Sequence, residues 1–170
     1  MCIVIDTNTF AAVFDRESQN HNDFRPVLDW IVYGNGKIVY GGTKYKEELR
    51  RARKFLGIIS QLSKVSKVKE IPEAAVDARQ REVESMVVHP DFDDPHLVAI
   101  IGVSGCRLIC TGDFRAYRFL KSKSFYPKHV ERPKIYRNAA NQDLLCDDNI
   151  AEICRPCIKL NKKIANGLGV

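Results

Sequence analysis

The sequence contains no apolar run of the roughly 18–20 residues that a membrane-spanning helix requires. The first methionine leads directly into a short apolar segment, without the basic stretch, long apolar core or cleavage site of a secretory signal. We therefore expect a protein without a membrane association that stays in the cytoplasm. Internal repeats and low-complexity segments are also missing, and a single domain is the simplest interpretation.

Histidine is scarce, with only four residues in the chain, and we see no arrangement of Ser, Cys or His that is typical of a nucleophilic enzyme. Three of the six cysteines, Cys2, Cys106 and Cys110, lie in apolar segments, where we expect buried thiols rather than disulfides. Cys154 and Cys157 have the spacing of zinc and redox motifs. A structural zinc site needs four ligands, however, and beyond Cys146 no convincing further ligand lies nearby. Buried thiols on a terminal helix are the favoured interpretation.

The chain has 170 residues, of which 45% are hydrophobic and 28% charged, as expected for one domain with a packed core. Its formal net charge of +6 favours a polyanionic partner such as nucleic acid. Positive charge is dense after residue 113, where aromatic residues are interleaved with it. We expect most of these aromatic residues in the core, and the side chains predicted to contact RNA are Arg115, Arg118, Lys121 and, from a second basic segment, Arg51.

Short apolar strands alternate with amphipathic helices along residues 1–137. This order predicts an α/β fold in which helices cover both faces of a central parallel sheet, a three-layer α/β/α sandwich. Strands are expected at about 2–6, 37–40, 65–71, 107–110 and 134–136, and helices at about 10–14, 23–33, 43–62, 73–88, 95–103 and 114–123. Thr43 is the expected N-cap of the third helix. Residues 138–170 form a separate C-terminal helical extension in this interpretation.

Acidic residues follow two of these strands and begin one helix. Asp6 ends the first strand, Asp113 follows the strand at 107–110, and Asp94 precedes Pro95 at the start of a helix. In a parallel sheet Asp6 and Asp113 project from the same edge, where ligands of such folds usually bind. Each acid alone has a plainer explanation, since all three are good helix caps or turn residues.

A fourth acid comes from the helix predicted at 43–62. At about 100° per residue, one apolar stripe forms on that helix, and Glu48 lies at its margin while Glu47 points to the opposite side. Glu48 is therefore the acid expected to face the protein. Carboxylates gathered at one place repel each other unless a cation intervenes, and Mg²⁺ or Mn²⁺ suits oxygen ligands. Such a site could support phosphodiester hydrolysis.

The ordered set of acidic motifs resembles that of the PIN-domain nucleases over about residues 1–125. Asp6-Thr7-Asn8 is similar to the family's opening motif, and Glu47-Glu48-Leu49 to its second acidic segment. The third and fourth motifs correspond to residues 93–99, which begin Asp-Asp-Pro-His, and to residues 111–113, which read Thr-Gly-Asp. A PIN-like nuclease domain would then occupy residues 1–137.

The resemblance implies a metal-dependent endoribonuclease that uses Mg²⁺ or Mn²⁺ to cleave RNA. It assigns the metal ligands and catalytic acids to Asp6, Glu48, Asp94 and Asp113, with Asn8, Thr111 and Asp93 in supporting roles. Many prokaryotic members are VapC-like toxins that a protein antitoxin inhibits, and members often form homodimers, so both partners are expectations here. An RNA-processing nuclease without a toxin role and a non-catalytic module that binds RNA or protein are the alternatives.

Overall fold

The computed structural model describes residues 2–149 and 151–168, which form a mixed α/β fold around a parallel sheet. The strands in this part of the chain are β1 (Val4–Ile5), β2 (Ile38–Gly41), β3 (Val68–Ile71), β4 (Leu108–Cys110) and β5 (Lys134–Tyr136). β3 pairs with β2, and β4 lies between β1 and β5. A parallel bridge between Ile3 and Ile38 joins the two groups, which gives the order 3-2-1-4-5. All five predicted strands are therefore present.

Helices cover this sheet in the order in which the sequence predicts them. They are α1 (Phe10–Phe14), α2 (His21–Tyr33), α3 (Thr43–Arg51), α4 (Leu56–Lys64), α5 (Glu73–Met86), α6 (Pro95–Ser104), α7 (Tyr117–Leu120) and α8 (Lys162–Gly167). The helix α6 is buried along most of its length, contacts β1, β2 and β3, and packs on α5. It ends at Gly105, which adopts a left-handed conformation with φ of 64°. The arrangement is compatible with an α/β/α sandwich.

The single long helix predicted at 43–62 is wrong, because the chain leaves the helical conformation at Ala52, whose ψ is 47°. The break turns Phe55 inward, where its ring packs against Phe10 and Phe14 at centroid distances of 5.9 and 6.2 Å. This aromatic contact is a tertiary interaction that helix periodicity does not encode. As a result the apolar stripe ends early, and Leu56 is exposed.

The predicted N-cap of this helix is also wrong. Thr43 is the first residue of α3, and the cap position belongs to Gly42, whose φ of 81° few other residues tolerate. The free amide of Thr43 donates instead to the Asp77 carboxylate of α5 at 2.8 Å, and the Thr43 hydroxyl donates to the same group at 2.6 Å. A distant acid thus performs the capping role that the sequence suggested for a local hydroxyl.

The basic helix predicted at 114–123 is shorter than expected. A 3₁₀ turn, Phe114–Ala116, leads into the four residues of α7. The described part of the C-terminal segment consists mainly of 3₁₀ turns, followed by α8. Residues 139–144 pack on α2 and β5, and α8 contacts α2. Only the part around Cys154 lies at the end of the sheet opposite the acids, where the Lys37 ammonium donates to the Cys154 carbonyl at 3.2 Å.

Cys2, Cys106 and Cys110 are fully buried, as predicted, and Cys154 is buried with them. The prediction of buried thiols on a terminal helix is otherwise wrong: Cys157 is half-buried, and Cys154 ends a 3₁₀ turn because Pro156 cannot continue a helix. Across residues 2–149 and 151–168, no cysteine belongs to a cluster of three potential metal ligands. Within the same residues, the helices are all too short or too polar to cross a membrane.

Candidate metal centre

Asp6 stands at the centre of the carboxyl edge of the sheet and is only 2% exposed. Its backbone amide continues the β1–β4 pairing by donating to the Cys110 carbonyl at 2.9 Å. One carboxylate oxygen accepts from the Asn8 amide at 3.0 Å, and the other accepts from the Thr111 hydroxyl at 2.7 Å. The Thr111 oxygen in turn accepts from the Asp113 amide at 3.1 Å. The loops after β1 and β4 are therefore joined through one hydroxyl group.

Glu48 reaches the same edge from α3. Its Oε2 atom accepts a hydrogen bond at 2.9 Å from the hydroxyl of Thr7, the residue that follows Asp6 in the sequence. Tyr45, one turn earlier on the same helix, is buried and donates to the Ile5 carbonyl at 2.5 Å. These two bonds fix α3 against the end of β1 and aim Glu48 into the protein, whereas Glu47 is exposed, as predicted.

Asp94 occupies the N-cap position of α6, but its side chain caps no backbone amide. Capping alone therefore does not explain this acid. His96 lies two residues further on and is 1% exposed, with its ring between the acids of two helices. Its Nε2 atom lies 3.2 Å from Glu48 Oε2, and its Nδ1 atom lies 4.0 Å from Asp94 Oδ1.

Asp113 completes the edge from the loop after β4. Its carboxylate accepts from the Arg115 amide at 2.9 Å and from two nitrogens of the Arg115 guanidinium at 3.1 and 2.8 Å. The guanidinium also lies 3.8 Å from the exposed Asp93 carboxylate. Asp113 is therefore both a turn cap, as its plainer explanation required, and one half of an ion pair.

The side chains at this edge form two potential ligand groups. Glu48, Asp94 and His96 offer atoms that all lie within 4.8 Å of one another, and so do Asp93, Asp94 and Asp113. Asp94 belongs to both groups, and Asp6 belongs to neither. Carboxylate oxygens and an imidazole nitrogen are donors that divalent cations accept. These residues therefore suit a divalent metal ion.

The charges of these acids are balanced unequally. Burial raises the pKa of Asp6, against the hydrogen bonds from Thr111 and Asn8 that lower it. Burial, together with the nearby charge of Asp6, raises the pKa of Asp94 from 3.8 to about 6. Burial alone would also raise the pKa of Glu48, but the contacts of Glu48 with His96 and Thr7 leave that pKa below its usual value. Asp94 is thus the acid whose negative charge is least compensated.

Hydrogen bonds and the positive charge of Arg115 lower the pKa of Asp113. This acid is therefore ionised over the whole neutral range, with an arginine as its present counter-ion. A metal ion that used Asp113 as a ligand would have to compete with that guanidinium.

The predicted RNA-contacting side chains are all exposed and lie in two different settings. Arg115 and Arg118 are engaged in ion pairs, the latter with Asp91 at 2.7 Å. Lys121 and Arg51 are exposed and form no ion pair within residues 2–149 and 151–168. Most of the aromatic residues between these charges are buried, as expected, but the Phe114 side chain beside Asp113 is 77% exposed. The surface beside Asp113 thus offers the planar ring of Phe114 as well as positive charge.

The structure brings Glu48, Asp94 and Asp113 to the edge that Asp6 marks, with Asp93 on its exposed side. The expected supporting residues differ in how they act. Thr111 contributes its hydroxyl, whereas Asn8 contributes its backbone amide and is itself exposed. Two groups that contact Glu48 at this edge were not predicted from the sequence: the Thr7 hydroxyl and the His96 imidazole. The position of His96 directly after the Asp93-Asp94-Pro95 segment was the available signal for it.

Comparisons with protein-family models, with curated proteins and with solved structures gave no match to this chain.

Proposed function

We propose that this chain is a metal-dependent endoribonuclease with a PIN-like nuclease domain over residues 1–137. The observation that carries the proposal is the convergence of Asp6, Glu48, Asp94 and Asp113 on one sheet edge from four separate segments. Unrelated caps have no physical reason to gather there, because like charges in a low-dielectric setting repel one another. A divalent cation bound among these carboxylates would offset that repulsion.

The chain's own residues have distinct roles in this proposal. Asp94 would be the shared ligand, Glu48 would hold one side and Asp113 the other, with Asp93 in support. Asp6, held by Thr111 and the Asn8 amide, would fix the negative potential at the centre. A bound Mg²⁺ or Mn²⁺ supplies Lewis acidity toward the phosphodiester and lowers the pKa of water.

The surrounding surface supports an RNA substrate. Exposed arginine and lysine side chains neutralise phosphates, and an exposed ring beside the acids offers a stacking surface for an unpaired base. The side chains in question are Arg115, Arg118, Lys121, Arg51 and Phe114. The choice of RNA over DNA follows the motif resemblance.

The same resemblance favours a toxin held inactive by a protein antitoxin, acting as a homodimer in the cytoplasm. In that role, expression of the wild type arrests bacterial growth, and Asp6→Asn relieves the arrest. An RNA-processing nuclease would cleave RNA without that effect on growth.

The direct test is cleavage of a mixture of single-stranded RNA and transfer RNA with Mn²⁺ or Mg²⁺. We expect cutting by the wild type, loss with EDTA and loss in Asp94→Asn. Asp29→Asn is a matched control, because the Asp29 side chain on α2 is 47% exposed and its one ion pair among the described residues is with Arg25 in the same helix. A folded wild type that binds Mn²⁺ but cuts no RNA would contradict the proposal and favour a non-catalytic binding module.

A further inference from the structure

The His96 imidazole is a buried polar group without a hydrogen bond. It is 1% exposed, and neither ring nitrogen has a hydrogen-bond partner in the part of the chain that the structure describes. The approach of Nε2 to Glu48 Oε2 at 3.2 Å is close, but it lacks hydrogen-bond geometry. A polar group that is buried without a hydrogen-bond partner destabilises the fold. Such a group in a native structure calls for a missing partner, such as an ion or water.

The ring is held in place by apolar packing rather than by polar contacts. The Tyr45 ring meets it edge-on at a centroid distance of 6.2 Å, and Tyr45 is itself tied to the end of β1. His96 lies in the first turn of α6, between the carboxylates of Glu48 and Asp94. Both nitrogens are therefore aimed into the acidic cluster by a rigid frame.

We propose that His96 is a nitrogen ligand of a metal ion that it shares with Glu48 and Asp94. This position then takes a first-row transition ion such as Mn²⁺ in preference to Mg²⁺. The inference deepens the proposed function and rests on it for the presence of a cation at this edge.

The preference follows from the donor set. Imidazole nitrogen binds transition ions well, whereas Mg²⁺ strongly favours oxygen ligands and gives up its water reluctantly. The neighbouring group of Asp93, Asp94 and Asp113 offers oxygen alone and suits Mg²⁺. The two sides of Asp94 therefore differ in the ion that they select, and His96 is the residue that makes the difference.

The test uses the intact chain with Mn²⁺ as the probe and electron spin echo spectroscopy as the readout. A histidine ligand produces nitrogen hyperfine coupling on bound Mn²⁺, which oxygen ligands do not. We expect this coupling in the wild type and in His129→Asn, a control at an exposed histidine, and its loss in His96→Asn. We also expect His96→Asn to raise the Kd for Mn²⁺ by on the order of 10-fold or more, and the Kd for Mg²⁺ much less.

A wild-type spectrum without nitrogen coupling overturns the inference whether or not His96→Asn folds, and His96→Gln is the second variant that assigns the coupling if His96→Asn is unfolded. Mn²⁺ that binds without nitrogen coupling overturns the inference and leaves the nuclease proposal standing wherever RNA is still cut. Failure to bind Mn²⁺, with cleavage in Mg²⁺, also overturns the inference alone. Failure of the nuclease proposal appears separately, as a folded, metal-loaded protein that does not cut RNA.

Discussion

Replacing Asp94 with asparagine should stabilise the metal-free protein while it destroys the proposed site. Burial and the neighbouring Asp6 charge raise the Asp94 pKa from 3.8 to about 6, so the folded state disfavours the ionised carboxylate. Converted at about 1.4 kcal/mol per pKa unit, that difference corresponds to about 3 kcal/mol at neutral pH. The side chain is 16% exposed, and water screens part of this penalty. We therefore expect Asp94→Asn to raise the free energy of unfolding of the metal-free protein by about 1–2 kcal/mol.

The pH dependence of this gain has a definite sign. Above pH 6 the wild-type Asp94 carboxylate is ionised in both the folded and the unfolded state, and the stability advantage of Asp94→Asn is complete. As the pH falls from about 6 toward 3.8, the folded wild type takes up a proton and recovers stability, so the advantage of asparagine disappears. A raised carboxyl pKa thus penalises the wild type at neutral and alkaline pH.

Thermal unfolding in EDTA measures the effect. For a chain of this size, 1–2 kcal/mol raises Tm by about 2–8 °C. Asp29→Asn is the matched control, because its side chain is 47% exposed and belongs to neither potential ligand group, and we expect its Tm to stay within about 1–2 °C of the wild type. Adding Mn²⁺ should raise the Tm of the wild type and of the control more than that of Asp94→Asn. An Asp94→Asn protein that is less stable than the wild type at pH 7.5 in EDTA would refute the electrostatic reasoning.

Three further predictions concern residues that support the site. Thr111→Val removes the hydroxyl that joins the two loops, and it should lower the free energy of unfolding in urea by about 1–3 kcal/mol. It should also raise the Asp6 pKa measured by carboxyl NMR, and an unchanged pKa would contradict this role. Arg115→Ala removes the counter-ion of Asp113 and should lower the Kd for Mn²⁺ a few-fold in calorimetry while weakening RNA binding; weaker metal binding would show that the arginine supports the ligand. Tyr45→Phe should lose about 1 kcal/mol of stability and reduce metal affinity, because the bond from α3 to β1 is gone; unchanged values in both assays would remove this positioning role.

Much of this site followed from rules that need no tertiary detail. Asp6 and Asp113 end up together because both follow strands of one parallel sheet, and the carboxyl ends of such strands share an edge. Glu48 was placed by helix periodicity, which holds over α3. Asp94 was less certain, since a helix start can serve as a cap or as a ligand, and only its missing capping bond distinguishes the two.

The remaining features depend on contacts between distant segments. No residue near Ala52 in the sequence predicts a helix break. The break depends on the distant packing of Phe55 against α1. His96 was overlooked because α6 is apolar around nearly its whole circumference, so periodicity gave the imidazole no direction. Only the packing of α6 between α3 and β1 shows that its ring faces the acids.

The most direct test of the central claim is the anomalous scattering of Mn²⁺ in crystals of the wild-type chain soaked with the ion. The account predicts a peak at the carboxyl edge of the sheet that contacts Asp94, together with Glu48 and His96 or with Asp93 and Asp113. Mn²⁺ peaks confined to other surface acids, with this edge accessible to the soak and empty, would contradict it.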